Sequence, residues 1–193
     1  MEENSVSQHC DVLLIGGSAG SLEVLFKLLP QLKPALPFPI ILVLHRRNSA
    51  ESSLSDLLSA KTKATTKEVE DKDQIVPGHA YLAPADYHLL IEKDHSFSLD
   101  DSEKINFSRP SIDVTFESAA EIYGPGVVAL LLSGANEDGT HGLLMVKKWG
   151  GKTVAQTPES AQMPFMPHYA ITHKAVDHIF DPQQMADFIN NLS

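Results

Sequence analysis

Three short runs of branched apolar residues constrain the fold more than any other feature of the sequence. They are "DVLLIGG" from Asp11, "PIILVLH" from Pro39 and "GVVALLLSG" from Gly126. Strands that are apolar on both faces are typical of the centre of a parallel sheet, where helices cover each face. The sequence therefore predicts a parallel sheet that is buried on both sides.

Helical patterns and further strands occupy the rest of the chain. An apolar stripe from Leu22 to Leu29 predicts a helix that Pro30 ends. Further helices are predicted after the serine-rich "NSAESS", in "RPSIDVTFESAAEIYGPG" with Ser111 as its cap, in "GTHGLLMVKKWGG", and in "DPQQMADFINNL" with Asp181 as its cap. Two more strands are predicted at "KTVAQ" and "VDHIF", and a short one near Val69.

The segment from Val76 to Asp101 has a different pattern. Short apolar segments at Tyr81, 88–91 and 97–99, separated by turn residues, predict antiparallel strands or a hairpin. The chain is thus predicted to be an α/β protein, with a single doubly wound, mostly parallel sheet, helices on both faces and an inserted antiparallel hairpin region. We expect residues 1–10 to form a flexible leader and residues 11–193 to form one domain.

Composition and charge exclude several classes of function. Of the 193 residues, 42% are hydrophobic, and the formal net charge is -10. No apolar run approaches the roughly 20 residues of a membrane span, and the polar start lacks a secretory signal. The acidic charge disfavours nucleic acid as a partner, and the single cysteine, Cys10, suits a reducing compartment. We expect a cytoplasmic protein without direct membrane insertion.

A serine, a histidine and an acid each follow one of the predicted strands. Ser18 comes after the first strand, His45 directly after the second, and Asp138 after the "VVALLLSG" strand. Ligands of open parallel sheets bind at the carboxyl ends of the strands, so these side chains are expected to share one edge. Serine acyl chemistry needs such a set, because the histidine takes the serine proton and the acid orients the imidazole. We predict a triad of Ser18, His45 and Asp138.

The residues beside this triad indicate where substrate would bind. Gly16 and Gly17 are expected to allow a tight turn after the strand, and Gly20 to allow a ligand close to the backbone. By position, the candidates for the oxyanion and substrate sites are Ala19, Gly134, Ala135 and Arg46.

A glycine-rich first turn also fits a phosphate or nucleotide loop. The motif G-x-G-x-x-G would require glycine where Ser18 and Ser21 stand, and the second strand ends in His45 instead of a ribose-binding acid. Arg46 and Arg47 could instead contact a 2′-phosphate. A non-catalytic signalling module or an NADP-type nucleotide-binding module therefore stays open as the alternative. The other histidines lack the spacing of ligands, so no metal and no cofactor are predicted.

Several long stretches, in one order from about Asp11 to the last helix, resemble a known family. They are "IGGSAGS", "VLH", "VPGHAYLAPADYHL", "RPSIDVTFESAA", "LLLSGANEDGTHGL" and "VAQTPESAQMPFMPHYAI". They are similar to the catalytic domain of the CheB-type chemotaxis receptor methylesterases (protein-glutamate methylesterases). The resemblance implies hydrolysis of glutamate γ-methyl esters on the cytoplasmic helices of methylated chemoreceptors, and deamidation of receptor glutamine. It also implies that Ser18 is the nucleophile, His45 the general base and Asp138 its orienting acid.

The chain departs from the family pattern in three respects. Arg46 and Arg47 follow the histidine, where family members commonly have a small or proline-rich segment. Ala135 and Glu137 stand in "GANEDG", where "GMGNDG" is common. These differences are expected to change how an acidic receptor helix docks and how substrate fits. Many members also have an N-terminal receiver domain, whereas about ten residues precede the first strand here. We expect control to come from a separate regulatory partner or to be absent, unless the chain is a fragment of a larger protein.

Overall fold

The computed structural model describes residues 8–47 and 54–193 of the chain. The strands of this part are β1 Val12–Gly17, β2 Ile40–Leu44, β3 Thr65–Glu68, β4 His79–Leu82, β5 His88–Ile91, β6 Phe97–Asp100, β7 Val127–Leu131, β8 Lys152–Gln156 and β9 His178–Phe180. The α-helices are α1 Ser21–Leu28, α2 Leu54–Ser59, α3 Ile112–Tyr123, α4 Thr140–Lys148, α5 Phe165–Thr172 and α6 Pro182–Asn190.

Seven of these strands form one parallel sheet in the order β3-β4-β2-β1-β7-β8-β9. The chain builds from β1 toward β2 on one side, and later from β7 toward β9 on the other. The winding therefore reverses between β1 and β7, which is where open parallel sheets bind their ligands. The predicted doubly wound α/β fold is confirmed.

Alternate residues of the central strands pack against opposite layers of helices. On β1, Leu13 and Ile15 belong to one buried cluster, whose other members include Leu25 of α1 and Ile189 of α6. Val12 and Leu14 of the same strand belong to a second cluster, which includes residues of α3, α4 and the hairpin. Burial on both faces explains why these strands are apolar at every position.

The predicted hairpin is confirmed in part. Strands β5 and β6 pair antiparallel in their own two-stranded sheet, with Leu89 opposite Leu99. The prediction was wrong for Tyr81, because β4 lies inside the main sheet and pairs parallel to both β2 and β3. The short segment around Tyr81 is buried at its last three positions, and its neighbours in the sheet are distant in sequence.

Helix α5 was not predicted. Its sequence, "FMPHYAIT", has prolines before and inside it, and Pro167 suppressed the helical pattern. Pro167 is tolerated because it lies in the first turn, where the N–H groups have no partner inside the helix. Helix α6 follows its prediction: Asp181 accepts from the Gln184 N–H, and the Gln184 side chain accepts from the Asp181 N–H.

The inner end of the predicted leader contacts the last residues of the chain. Gln8 forms a parallel bridge with Leu192, and the Cys10 N–H donates to the Ser193 carbonyl at 2.8 Å. Cys10 is buried, and this burial raises the pKa of its thiol to about 12, which disfavours the reactive thiolate. Residues 1–7 and the serine caps predicted at 49–53 lie outside the described residues. None of the helices within 8–47 and 54–193 has the length and hydropathy of a membrane span.

Candidate active site

Backbone pairing continues beyond the ends of the central strands and places the predicted site residues. The His45 N–H donates to the Gly17 carbonyl at 3.0 Å, and the Ser18 N–H donates to the Ser133 carbonyl at 2.9 Å. The chain segments that leave β2, β1 and β7 are thus held side by side at the carboxyl edge of the sheet. Ser18, His45 and Asp138 all lie at this edge.

His45 and Asp138 form a short, buried pair. His45 Nε2 lies 2.6 Å from Asp138 Oδ2, and the two side chains are 10% and 0% exposed. Because ionised aspartate only accepts hydrogen bonds, the imidazole must donate through Nε2. The proton-accepting atom of the neutral ring is therefore Nδ1.

Asp138 also caps the N-terminus of α3. Its carboxylate accepts from the backbone N–H groups of Ile112 at 2.6 Å and Asp113 at 3.2 Å. Ser111 Oγ and Asn106 Nδ2 also donate to it, at 2.8 and 3.1 Å. Burial acts to raise the pKa of Asp138, but the hydrogen bonds from His45 and the other donors outweigh it and hold the pKa below its usual range. Asp138 is thus kept ionised beside the histidine.

Asp113 makes the matching contacts with α4. Its Oδ1 accepts from the Gly139 and Gly142 N–H groups at 2.9 and 2.7 Å, at the start of that helix. Burial and the nearby charge of Asp138 raise the pKa of Asp113 to about 6. Asn106 bridges the two acids, because its amide donates to both carboxylates. Asp113 thus lies in the first turn of α3, but its carboxylate accepts from the start of the neighbouring helix α4.

Ser18 occupies the tight turn between β1 and α1. Its carbonyl accepts from both the N–H and the hydroxyl of Ser21, which shapes the turn. Its own hydroxyl has no hydrogen-bond partner among the described residues. Ser18 and His45 line one cavity of about 220 Å³. Within the described part of the chain, the N–H groups of Ala19 and Gly20 donate to no acceptor.

A second serine, Ser108, contacts the open nitrogen of the histidine. Ser108 Oγ is 3.3 Å from His45 Nδ1, and the Asn136 amide donates weakly to the same hydroxyl at 3.5 Å. Ser108 therefore contacts the atom that would take a proton from Ser18. Sequence reasoning missed this residue.

The glycines around Ser18 allow close packing of neighbouring protein segments. A Cβ added at Gly16 would lie 2.6 Å from Ile112 Cγ2, and one at Gly17 would lie 2.5 Å from Ser21 Cβ. Gly20 has φ +83°, and a Cβ there would meet Gln162 and Ser133. The space that a Cβ would need is thus taken by α3, by Ser21 and by the 133 and 162 segments, while Gly20 also lines the cavity of Ser18 and His45, so the expectation of a ligand near its backbone stays a prediction. This packing does not favour a nucleotide loop.

The remaining candidates occupy different surroundings. The Gly134 N–H donates to the Met163 carbonyl at 3.0 Å, so it is already engaged and cannot serve an oxyanion as expected. Ala135 is exposed and lines a separate cavity of about 250 Å³ with Asn106, Phe107 and others. Arg46 lines the Ser18 cavity, and its guanidinium donates to Glu68 at 2.6 Å.

Three further positioning residues were absent from the sequence-based site. Asn106 bridges the two acids, Ser108 contacts His45, and Ser133 Oγ donates to the Ala19 carbonyl at 2.7 Å while accepting from the Met163 N–H. Ser111 was predicted as an ordinary helix cap, but its hydroxyl donates to Asp138 and the aspartate caps the helix instead. Ser111 and Ser133 lie in stretches quoted above for the family resemblance, whereas Asn106 and Ser108 lie outside them.

Comparison with known proteins identifies the family of the chain. The family model described as CheB methylesterase matches residues 13–189. A Thermotoga maritima relative named protein-glutamate methylesterase/protein-glutamine glutaminase is 36% identical over 94% of this chain and 54% of its own length. A Leptospira interrogans relative, named as a candidate for the same two activities, is 38% identical over 94% of each chain.

A solved structure extends the comparison to the fold. The crystal structure of the Thermotoga maritima CheB methylesterase catalytic domain superposes with a TM-score of 0.91 at 33% identity, covering 95% of this chain and 99% of that one. The chain thus spans about half of the longer Thermotoga protein and nearly the whole of its catalytic domain.

Proposed function

The chain belongs to the CheB methylesterase family, and we propose that it hydrolyses the γ-methyl esters of glutamate residues in methylated chemoreceptors. The observation that carries this proposal is the buried His45–Asp138 pair, whose histidine lines the same cavity as Ser18. The substrate is a protein segment, and we expect it to be a cytoplasmic receptor helix. Residues 11–193 serve as one catalytic domain.

The first half of the reaction uses the two ring nitrogens of His45. The Ser18 hydroxyl attacks the ester carbonyl carbon while His45 Nδ1 takes its proton. The imidazolium that forms keeps its Nε2–H bond to Asp138, whose buried charge stabilises it. When the tetrahedral intermediate collapses, the proton on Nδ1 passes to the methoxy oxygen, and methanol leaves.

The second half repeats these steps with water. His45 Nδ1 takes a proton from a water molecule as its oxygen attacks the acyl carbon. The proton returns to Ser18 Oγ as the acyl bond breaks, and the glutamic acid that is released loses its remaining proton to solvent. The same acyl chemistry applied to glutamine releases ammonia instead of methanol, which would account for the second activity in the names of the relatives.

The oxyanion is best served by backbone donors next to Ser18. The N–H groups of Ala19 and Gly20 have no acceptor in the described residues, and they belong to the turn that presents the nucleophile. Free donors held in place before the reaction stabilise developing negative charge effectively. The Ala135 N–H is a further candidate, since it donates to no described acceptor, whereas Gly134 is excluded from this role.

The proposal is tested on Ser18. We expect Ser18→Ala to reduce methanol release from methylated receptor by at least a factor on the order of 10³, because the acyl intermediate cannot form. A fluorophosphonate probe, which labels activated serines, should label the wild-type chain at Ser18 as located by peptide mass spectrometry. Circular dichroism checks that the variant is folded.

Ser108→Ala is the matched control, because Ser108 is the other serine near His45 Nδ1. It should keep the fluorophosphonate label, whereas Ser18→Ala should lose it. The proposal fails if Ser18→Ala releases methanol at the wild-type rate. The choice of nucleophile fails if the label is found on Ser108.

A further inference from the structure

A basic cleft opens beside the candidate active site. It is a cavity of about 610 Å³, and His45 and Ser108 form part of its wall. Four cationic residues also line it, namely Arg46, Arg47, Lys104 and Arg109. Among the described residues, Asp86 is the one acid on its wall. Because His45 and Arg46 line both this cleft and the Ser18 cavity, a ligand can extend from one into the other.

Two of the four cations are held by protein acceptors. Arg46 pairs with Glu68 at 2.6 Å, and Arg109 donates to the carbonyls of Asp101 and Ser102 at 2.6 and 2.8 Å. Arg47 and Lys104 are exposed, and neither has an ion pair within the described part of the chain. In a chain with a net charge of -10, this local positive charge is a feature of the cleft and not of the whole surface.

Phe107 stands at the rim of the same cleft. It is 96% exposed, and it also lines the neighbouring cavity that contains Phe165. Asn106 and Phe107 form the centre of a tight turn between Ile105 and Ser108, with φ of 50° and 60°. A bulky residue rarely adopts this left-handed backbone, where glycine would be usual. The turn thus holds an aromatic side chain in solvent, next to the residues that contact His45 and Asp138.

We propose that the basic cleft binds an acidic, amphipathic segment of the protein substrate next to the ester. Arg47 and Lys104 contact carboxylates of that segment, and Phe107 packs against one of its apolar side chains. This inference rests on the proposed function, because the ester must reach Ser18 while its neighbours occupy the cleft. The chain's acidity and Asp86 on the wall favour a segment with a few carboxylates over a polyphosphate backbone, whose neutralisation needs many clustered cations.

Binding is measured on the Ser18→Ala variant, so that the result does not depend on turnover. The probe is a dye-labelled helical peptide with glutamates on one face and a leucine on the other, and its partner peptide has glutamines instead. By fluorescence anisotropy at low salt, the acidic peptide should bind more tightly. Arg47→Glu combined with Lys104→Glu should weaken its binding by about tenfold or more, equivalent to about 1.4 kcal/mol. Added salt should have the same effect, since exposed charges are screened.

Two further variants separate the contributions. Phe107→Ala should weaken both peptides, because its contact is apolar. Lys152→Glu makes the same charge change on an exposed residue at the first position of β8, at the opposite edge of the sheet, and should leave the binding of both peptides unchanged.

A turnover measurement completes the test. With methyl-ester versions of the two peptides, wild-type kcat/KM should be higher for the acidic one, and the Arg47→Glu/Lys104→Glu variant should lose that preference. Equal binding of the two peptides, or equal weakening by Lys152→Glu, would overturn the inference. So would tighter binding of a polyphosphate of the same charge. Loss of methanol release in Ser18→Ala tests the catalytic proposal independently of these outcomes.

Discussion

At the level of single residues, Asp138 does two things with one carboxylate. One oxygen accepts from His45 and from the Ile112 N–H, and the other accepts from Ser111, Asn106 and the Asp113 N–H. Every partner is a donor. The orientation of the histidine and the start of α3 therefore depend on the same buried negative charge.

Asp138→Asn should consequently impair both catalysis and stability. The asparagine has nearly the same shape, but its NH₂ group would point at hydrogen-bond donors and cannot accept from them. The imidazolium would also lose the negative charge that stabilises it. We expect kcat to fall by a factor on the order of 10³ to 10⁴, as for the loss of the acid in other serine triads. Methanol release and urea unfolding measure the two effects.

Asp187→Asn is the matched control, because Asp187 is an exposed aspartate on α6. It should change neither kcat nor the unfolding midpoint. Wild-type turnover by Asp138→Asn would show that this acid does not serve the histidine.

At the level of elements, α3 and α4 cap each other. Asp138 lies just before α4 and accepts from the first N–H groups of α3, while Asp113 lies in the first turn of α3 and accepts from the start of α4. Each carboxylate favours the positive end of the helix it caps. The two charges also repel each other, which contributes to the raised pKa of Asp113.

The burial of Asp113, together with this repulsion, predicts a pH-dependent contribution of Asp113 to stability. Its folded-state pKa of about 6 lies above the ordinary carboxyl value, so the folded chain binds more protons than the unfolded one between those pH values. The free energy of unfolding of the wild type, minus that of Asp113→Asn, should therefore fall as pH rises from about 3.9 to above 6. Urea titrations across this range measure the difference.

Asp94→Asn provides a control for which the expected pH dependence of the stability difference has the opposite sign. Hydrogen bonds from Ser96 lower the pKa of this exposed carboxyl, so its stabilising contribution is present above the ordinary value and is lost in acid. The corresponding wild-type minus variant difference should rise slightly with pH. A difference for Asp113→Asn that is flat with pH would contradict the raised pKa.

At the level of the whole molecule, the hairpin and the sheet share one core. Leu89, Ile91 and Phe97 of the hairpin belong to the same buried cluster as Val12 and Leu14 of β1. The two ends of the chain also meet, since Gln8 and Cys10 pair with the last two residues. No part of the described chain therefore has a hydrophobic core of its own.

We therefore expect the chain to unfold in one cooperative transition, as single domains usually do. Fluorescence of Trp149, which ends α4, and far-UV circular dichroism should give the same urea midpoint. Two separated transitions would contradict the proposal that residues 11–193 are one domain.

The sequence by itself determined the central strands, their parallel arrangement and the edge where chemistry should occur. This was possible because burial on both faces leaves a local signature, and because parallel strands present their carboxyl ends together. The capping box of α6 was likewise local.

Only the tertiary structure decided the other features. It placed β4 inside the sheet, directed Asp138 and Asp113 to each other's helices, brought Ser108 to His45, and packed Ile112 against Gly16. It also gathered Arg47 and Lys104 around one cleft. Each of these contacts joins residues far apart in the chain. They depend on how the elements dock against one another, and the periodicity of a single segment does not contain that information.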